Sequence, residues 1–220
     1  MKVIILASGK GTRMLPLTEK VPKPMLVYKN KNLIEWKLES LPENVEEIII
    51  VVGYLDHVIK NYFGNNWRNI NIKYVQQEIL NGTGGAVDLC KNLVNDKTLI
   101  LMGDDIYKKE DLELLVKNEN AILVFDLKED GLKRKGQILR DQNNNLIGIN
   151  EGLSQNNTSS SLINTGACVI SKKYFNYEPV QFSETEYGLP HTLVKMAKNH
   201  AVKVVEASEW KQITKPDDLL

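Results

Sequence analysis

Gly9-Lys10-Gly11-Thr12-Arg13 follows directly on the apolar run Val3-Ile4-Ile5-Leu6-Ala7. A glycine turn at the end of a buried strand aims backbone N–H groups at an anion, because only glycine lets the main chain approach a phosphate so closely. Spacing sets two common phosphate turns aside. A dinucleotide turn needs a third glycine where this chain has Met14, and a Walker A loop needs a lysine followed by Ser or Thr where Gly11 is followed by Thr12-Arg13. What remains is a glycine turn carrying a permanently charged arginine, with Lys23 held between Pro22 and Pro24 a short loop later. A second apolar run, residues 99–102, ends in Gly103-Asp104-Asp105. Two carboxylates at the mouth of a buried strand are costly to keep unpaired, and a hard divalent cation, magnesium foremost, is their natural partner. Asp104 could equally cap the turn or helix that follows, and the residues alone leave both readings open.

Both motifs need strands to carry them. Residues 3–7, 47–52, 70–74, 98–102 and 121–126 read as strands, several apolar on both faces as a covered parallel sheet requires. Residues 33–41, 56–63 and 85–93 carry apolar side chains at helical spacing, and 111–117 do so more weakly. This is a βαβ series, and in such folds ligands bind at the carboxyl ends of the strands, where both motifs fall. Beyond about residue 130 the texture becomes antiparallel: a polar hairpin around Gln142-Asn143-Asn144-Asn145, a Ser/Asn-rich loop at 154–161 and a strand at 165–171. The chain is expected to form one domain, with a core over 1–130 and, over 131–220, a flap and a return to the core.

Composition narrows the partners. The 28 basic and 28 acidic residues among 220 leave no net field for nucleic acid or an anionic membrane. Cys90 and Cys168 are far apart and outside any C-x-x-C pair, so a reducing cytoplasm is expected and both read as small buried hydrophobes. No stretch approaches the twenty or so apolar residues of a membrane span. His57, His191 and His200 lack partner spacing and read as structural or exposed. A homo-oligomer stays open.

Taken in order, 6–14, Pro22-Lys23-Pro24-Met25, Gln77-Glu78 before Gly82-Thr83-Gly84-Gly85-Ala86, and Gly103-Asp104-Asp105 resemble the signature of the sugar-1-phosphate nucleotidyltransferases. Gly53-Tyr54, Asn61-Tyr62-Phe63-Gly64 and residues 210–219 also fall in familiar places, so the resemblance runs nearly end to end. With its last motif at residues 210–219, the chain is expected to lack the left-handed β-helix or acyltransferase domain that longer members append. The resemblance implies a GT-A-like fold: a Rossmann-like, mixed, mostly parallel sheet with helices on both faces and a small antiparallel sugar-binding flap. It implies transfer of a nucleoside monophosphate from a nucleoside triphosphate, UTP or dTTP favoured, to a sugar 1-phosphate, with pyrophosphate released and magnesium required.

Residue by residue, it implies that Leu6, Ala7, Gly9, Gly11 and Thr12 cradle the nucleotide while Arg13 takes the leaving pyrophosphate and Lys23 the α-phosphate and acceptor. It places Gln77, Gly82 and Thr83 at the base, Gly136, Glu151 and Asn164 at the sugar, and Asp104 with Gln212 at the metal. Two positions depart from the family pattern. Glu151-Gly152-Leu153 stands where Glu-Lys-Pro is usual, removing a sugar-phosphate lysine, and Gln212 stands where the second metal ligand is an aspartate. Those departures keep two alternatives in view: a catalytically weak nucleotide-sugar-binding regulatory subunit, and a nucleotidyltransferase for a non-hexose acceptor such as phosphocholine or a polyol phosphate.

Overall fold

The computed structural model describes residues 1–94, 96–128, 136–150 and 160–220. Its first strand, β1 (Lys2–Ala7), joins three β-branched residues to Leu6 and Ala7, and all five are buried. A hairpin of β2 (Val27–Tyr28) and β3 (Lys31–Asn32) leads into α1 (Leu33–Glu39). There Asn32 accepts from the Glu35 N–H at 2.9 Å and Glu35 accepts from the Asn32 N–H at 2.8 Å, a reciprocal cap that fixes the helix start. Then come β4 (Glu47–Val52), α2 (Asp56–Phe63), β5 (Asn66–Trp67), β6 (Ile70–Gln76) and α3 (Gly82–Asp88). They are followed by β7 (Thr98–Met102), β8 (Asp105–Tyr107), α4 (Lys109–Leu115) and β9 (Ala121–Asp126). The remainder holds β10 (Gln137–Arg140), β11 (Leu146–Asn150), β12 (Leu162–Ile170), β13 (Val180–Gln181), β14 (Tyr187–Gly188), α5 (Leu189–Ala197), β15 (Lys203–Glu206) and β16 (Trp210–Gln212).

Among the described residues one ten-stranded mixed sheet carries the fold, in the order β11-β10-β12-β7-β1-β4-β6-β5, with β9 on β12 and β15 on β9. Its centre, β7-β1-β4-β6, is parallel. Alternate residues serve opposite faces. Val3, Ile5 and Ala7 join Ile34, Leu38, Ile59, Phe63 and Leu112 beneath α1, α2 and α4, whereas Ile4 and Leu6 join Ala86, Val87, Leu193 and Met196 beneath α3 and α5.

The antiparallel flap is continuous with this sheet. The hairpin β10–β11 turns over Asp141, whose Oδ1 accepts from the N–H groups of Asn143 and Asn145, and it meets β12 at Gln137 and Ile163. Two elements start three residues earlier than in the sequence reading. α3 starts at Gly82 rather than 85, because Gly82-Thr83-Gly84-Gly85 forms its first turn. β12 starts at Leu162, three residues early, because its pairing with β9 continues past a register shift between Asn164 and Cys168. α5 and the ribbon of β8 with β16 were not foreseen.

Replacing Asn32 by alanine should cost about 1 kcal/mol of stability, and by glycine only a few tenths. Urea midpoints at unchanged slope measure this. Equal losses would show that the cap does not hold α1.

Candidate active site

β1 and β7 are adjacent and parallel, so the glycine turn after β1 and Gly103-Asp104-Asp105 after β7 emerge side by side at the carboxyl edge of the sheet. Gly11 adopts φ +63°, and a Cβ there would lie 2.8 Å from the Cβ of Lys23. Only glycine lets the turn seat the lysine stem. Lys23, 7% exposed, opens a single 3₁₀ turn (Lys23–Met25) after Pro22, and its Nζ pairs with Asp104 Oδ2. Arg13 lies on the 3₁₀ turn Thr12–Met14; among the described residues no hydrogen bond or ion pair holds its exposed guanidinium. Leu6, Ala7, Gly9, Gly11, Arg13, Lys23 and Asp104 line one cavity of about 340 Å³. A Cβ on Gly9 would meet nothing within 4 Å, which leaves its backbone open to an incoming group. Thr12 is exposed and does not line that cavity.

Behind the carboxylates lies a buried charge layer. Asp105 is 3% exposed, and its Oδ1 has no hydrogen-bond partner. Burial, reinforced by the charge of Asp104, holds its carboxyl well above the ordinary range, with Lys37, Lys23 and Trp210 pulling the other way. Lys37 of α1 is fully buried, and its Nζ donates to the Leu33 carbonyl at 2.9 Å. Burial lowers it to about 8, opposed by the charges of Asp104 and Asp105.

The base side is braced from within. Gln77, 3% exposed, accepts from the Ser8 hydroxyl at Oε1, while its Nε2 donates to Asn81 Oδ1 at 3.0 Å and to the Gly82 carbonyl at 3.2 Å. Both amide hydrogens are therefore spent inside the protein, and the donor that the sequence reading gave to a base is already engaged. Gln77 fixes the Gly82 turn beside a cavity of about 160 Å³ that Gln77, Gly82 and Thr83 all line. Gly82 needs its φ of +90°, and a Cβ there would strike the Tyr187 carbonyl oxygen at 2.5 Å.

Toward the flap, Asn164 borders the cavity of about 330 Å³ that also takes in Arg13, Thr83, Asp104 and Gln212. Its Oδ1 accepts from the Gly166 N–H at 2.9 Å, leaving Nδ2 free of partners among the described residues. Gly136 lies just before β10; its N–H donates to the Asn150 carbonyl of β11 and its carbonyl accepts from the Asn164 N–H of β12, and it does not line the cavities around Arg13. Glu151, with Gly152 and Leu153, lies outside the described residues. Gln212 pairs across the ribbon with Asp105, and Ile213 is packed with Met14 in a small core. That ribbon delivers the amide to the rim that holds Asp104 and Arg13.

With this geometry in place, comparison with known proteins is direct. The nucleotidyl transferase family model matches residues 2–220. The chain belongs to that family. It is 35% identical over 224 residues to the bifunctional protein GlmU of Methanococcus aeolicus, covering 100% of this chain and 53% of that protein. It is 33% identical over 178 residues to a D-glycero-alpha-D-manno-heptose 1-phosphate guanylyltransferase of Campylobacter jejuni, covering 80% of this chain and 78% of that one. In structure it resembles a glucose-1-phosphate thymidylyltransferase of Bacillus anthracis, titled putative, with a TM-score of 0.83 at 23% identity, over 100% of this chain and 92% of that chain. The chain spans about half the length of the bifunctional relatives it matches.

This family member also brings to the cleft residues that the motifs did not indicate. Glu186 borders both the phosphate and base cavities, and Phe182 and His191 border the cavity shared by Asp104 and Asn164. His191 was expected to be structural or exposed; its place on α5 beside Gly188 could be found only once that helix was known. Lys37 gave no signal beyond a lysine on the apolar stripe of α1.

Lys37 carries a pH dependence whose sign follows from its lowered pKa. The unfolded chain holds that proton to about 10.4, the folded protein to about 8, so the unfolded state binds more protons between them and stability rises with pH there. Relative to Lys37→Met, the wild type should gain up to about 3 kcal/mol from pH 8 to 10.5. Parallel denaturation profiles of the two proteins across that window would refute the assignment. Gln77→Glu should weaken triphosphate binding more than acceptor binding, because a carboxylate cannot donate to Asn81 and Gly82. Calorimetry with each substrate separates the two effects.

Proposed function

We propose that this chain transfers a nucleoside monophosphate from a nucleoside triphosphate to a sugar 1-phosphate and releases pyrophosphate. The observation that carries this reading is the convergence of Arg13, Lys23 and Asp104 on one glycine-lined cleft between a base cavity and a flap-side cavity. A phosphate oxygen of the acceptor attacks the α-phosphorus in line, the bond to the bridging oxygen of the β-phosphate breaks, and pyrophosphate departs with those electrons. The attacking oxygen is already anionic, so no side chain needs to take a proton, and catalysis reduces to positioning and charge neutralisation.

Backbone N–H groups near Gly9 and Gly11 face the triphosphate. Arg13, with five donors and no internal partner, takes the β and γ oxygens that become pyrophosphate. Lys23 sits where the α-phosphate and the acceptor phosphate meet. Gln77 keeps the base turn in place, and Asn164 offers Nδ2 to a sugar hydroxyl, with Glu151 proposed beside it. UTP or dTTP is favoured on the pairing of Gln77 with Gly82-Thr83, which line one cavity together. The two buried free thiols support the cytoplasm as its place, and no helix among the described residues is long and apolar enough to cross a membrane.

Magnesium fits the donor set present: one carboxylate, Asp104, and one amide oxygen, Gln212, on a shared cavity, with phosphate oxygens to complete the shell. When bound it would neutralise triphosphate charge. Among the described residues no cluster of three acidic, His or Cys side chains exists, so substrate must supply most ligands. The neutral Gln212 favours, as a second reading, a weakly catalytic nucleotide-sugar-binding subunit.

Arg13→Ala should lower kcat by about 10²- to 10³-fold at unchanged fold, and Asp104→Asn should nearly abolish turnover. Gln212→Asp should lower the magnesium concentration for half-maximal rate and tighten manganese binding read by electron paramagnetic resonance. Pyrophosphate release from Gln212→Asp but never from wild type, over a panel of triphosphates and sugar phosphates, would establish the binding-subunit reading instead.

A further inference from the structure

The flap-side cavity has a wall that the phosphate chemistry does not use. β13, β14 and the start of α5 bring Phe182 and His191 face to face, with ring centroids 4.9 Å apart and planes within 7°. Both rings border the cavity that holds Asp104, Asn164 and Gln212. Phe182 is 46% exposed, while the imidazole is seated against Gly188, where a Cβ would fall 2.2 Å from Nδ1. The Phe182 N–H donates to the Glu186 carbonyl at 3.0 Å, closing the tip of the hairpin. The same segment is bonded to the base turn: Tyr187 N–H donates to the Asn81 carbonyl at 2.8 Å, and Leu189 N–H to Thr83 Oγ1 at 3.1 Å. The stack is thus fixed relative to the nucleotide side of the cleft.

A half-exposed phenylalanine at a hairpin tip is ordinary surface when it faces solvent alone. Here it lines a cavity whose polar groups include Arg13, Asp104, Asn164, Thr165 and Gln212. An occupant that suits both has an apolar flat face and a polar edge. A pyranose or cyclitol ring has this shape: axial C–H groups on one face can lie on the electron-rich face of an arene, while hydroxyls at the rim reach amides and carboxylates. A flexible acyclic alcohol phosphate offers no such face. A quaternary ammonium prefers several arenes around it, and this wall presents a single stack.

We propose that the Phe182–His191 stack is the platform on which the ring of the acceptor lies, and that it selects ring-bearing phosphates over acyclic ones. This rests on the nucleotidyl-transfer reading above for its acceptor site. The test pairs kinetics with calorimetry. Wild type and Phe182→Ala, Phe182→Tyr and His191→Leu are assayed for pyrophosphate release with hexose 1-phosphates, inositol 1-phosphate, glycerol 3-phosphate and phosphocholine. Binding of the same acceptors is measured without turnover.

Phe182→Ala should raise the KM for ring-bearing acceptors about tenfold or more, with the triphosphate KM moving less than twofold. Phe182→Tyr should restore it, and His191→Leu should fall between. Acceptor KM within twofold of wild type in Phe182→Ala overturns the platform and leaves nucleotidyl transfer standing, as does equal wild-type use of phosphocholine or glycerol 3-phosphate. No pyrophosphate release with any pair, but sugar phosphate binding that Phe182→Ala weakens tenfold, overturns the transfer reading and keeps the platform. Absence of both turnover and acceptor binding overturns both.

Discussion

The ion pair between Lys23 and Asp104 joins two loops 81 residues apart in sequence, and the shape of the cleft depends on it. Lys23 is almost wholly buried, so its charge is tolerable only where a fixed anion meets it. The lysine stem in turn occupies the place a side chain on Gly11 would need, which couples the glycine turn to the end of β7. The proline-flanked 3₁₀ turn removes freedom that the lysine would otherwise lose on binding. In the proposed reaction a triphosphate would offer Lys23 a second anion and leave Asp104 open to another cation. The pair therefore holds both groups at the rim before substrate arrives, at a desolvation cost that the surrounding fold must offset.

A second coupling runs across the cleft. Gly82 packs against the backbone of Tyr187, and Thr83 accepts from Leu189 at the start of α5, so the base turn and the flap-side wall move together. Gln77 extends the same brace back to Ser8, beside the phosphate turn. Three regions distant in sequence are thereby joined by hydrogen bonds inside the protein. Rigid placement of this kind suits the proposed transfer, which has no protein nucleophile, because misplacement of either phosphate by an ångström would be a loss that no acid or base can repair.

Much of this was legible in the letters, for physical reasons that differ from element to element. β1, β4 and β7 were readable because strands covered on both faces must be continuously apolar. The glycine turn was readable because few residue types can stand there, and Lys23 stood out through its prolines. α3 was read late because glycines lower helix propensity, and the packing of Gly84 against Tyr187 and Gly188 that justifies them is tertiary. α5 was not foreseen, although its Pro190 stands in the first turn, where proline is at home. Gln77 lines a cavity with Gly82 and Thr83, and its partners Ser8, Asn81 and Gly82 could not be read, since side-chain hydrogen bonds across five residues of turn have no signature in sequence. Gly136 was placed by resemblance, and in the structure its backbone bonds to Asn150 of β11 and Asn164 of β12.

The whole-chain charge and the charge of the cleft tell different stories, and the difference says how the site must work. With 28 charges of each sign the chain has no field to gather anions from a distance. The two phosphate-bearing substrates proposed above would instead be held by short-range groups: Arg13, Lys23 and the amides of a glycine turn, with Lys37 buried behind the acidic pair. Lys37 is too deep to touch a ligand, yet its charge opposes the accumulation of negative charge at Asp104 and Asp105. Its burial keeps that influence unscreened by solvent, whereas a surface lysine at the same distance would be weakened by water and salt. The acidic rim can then stay compact while Lys37 on α1 balances its charge from below.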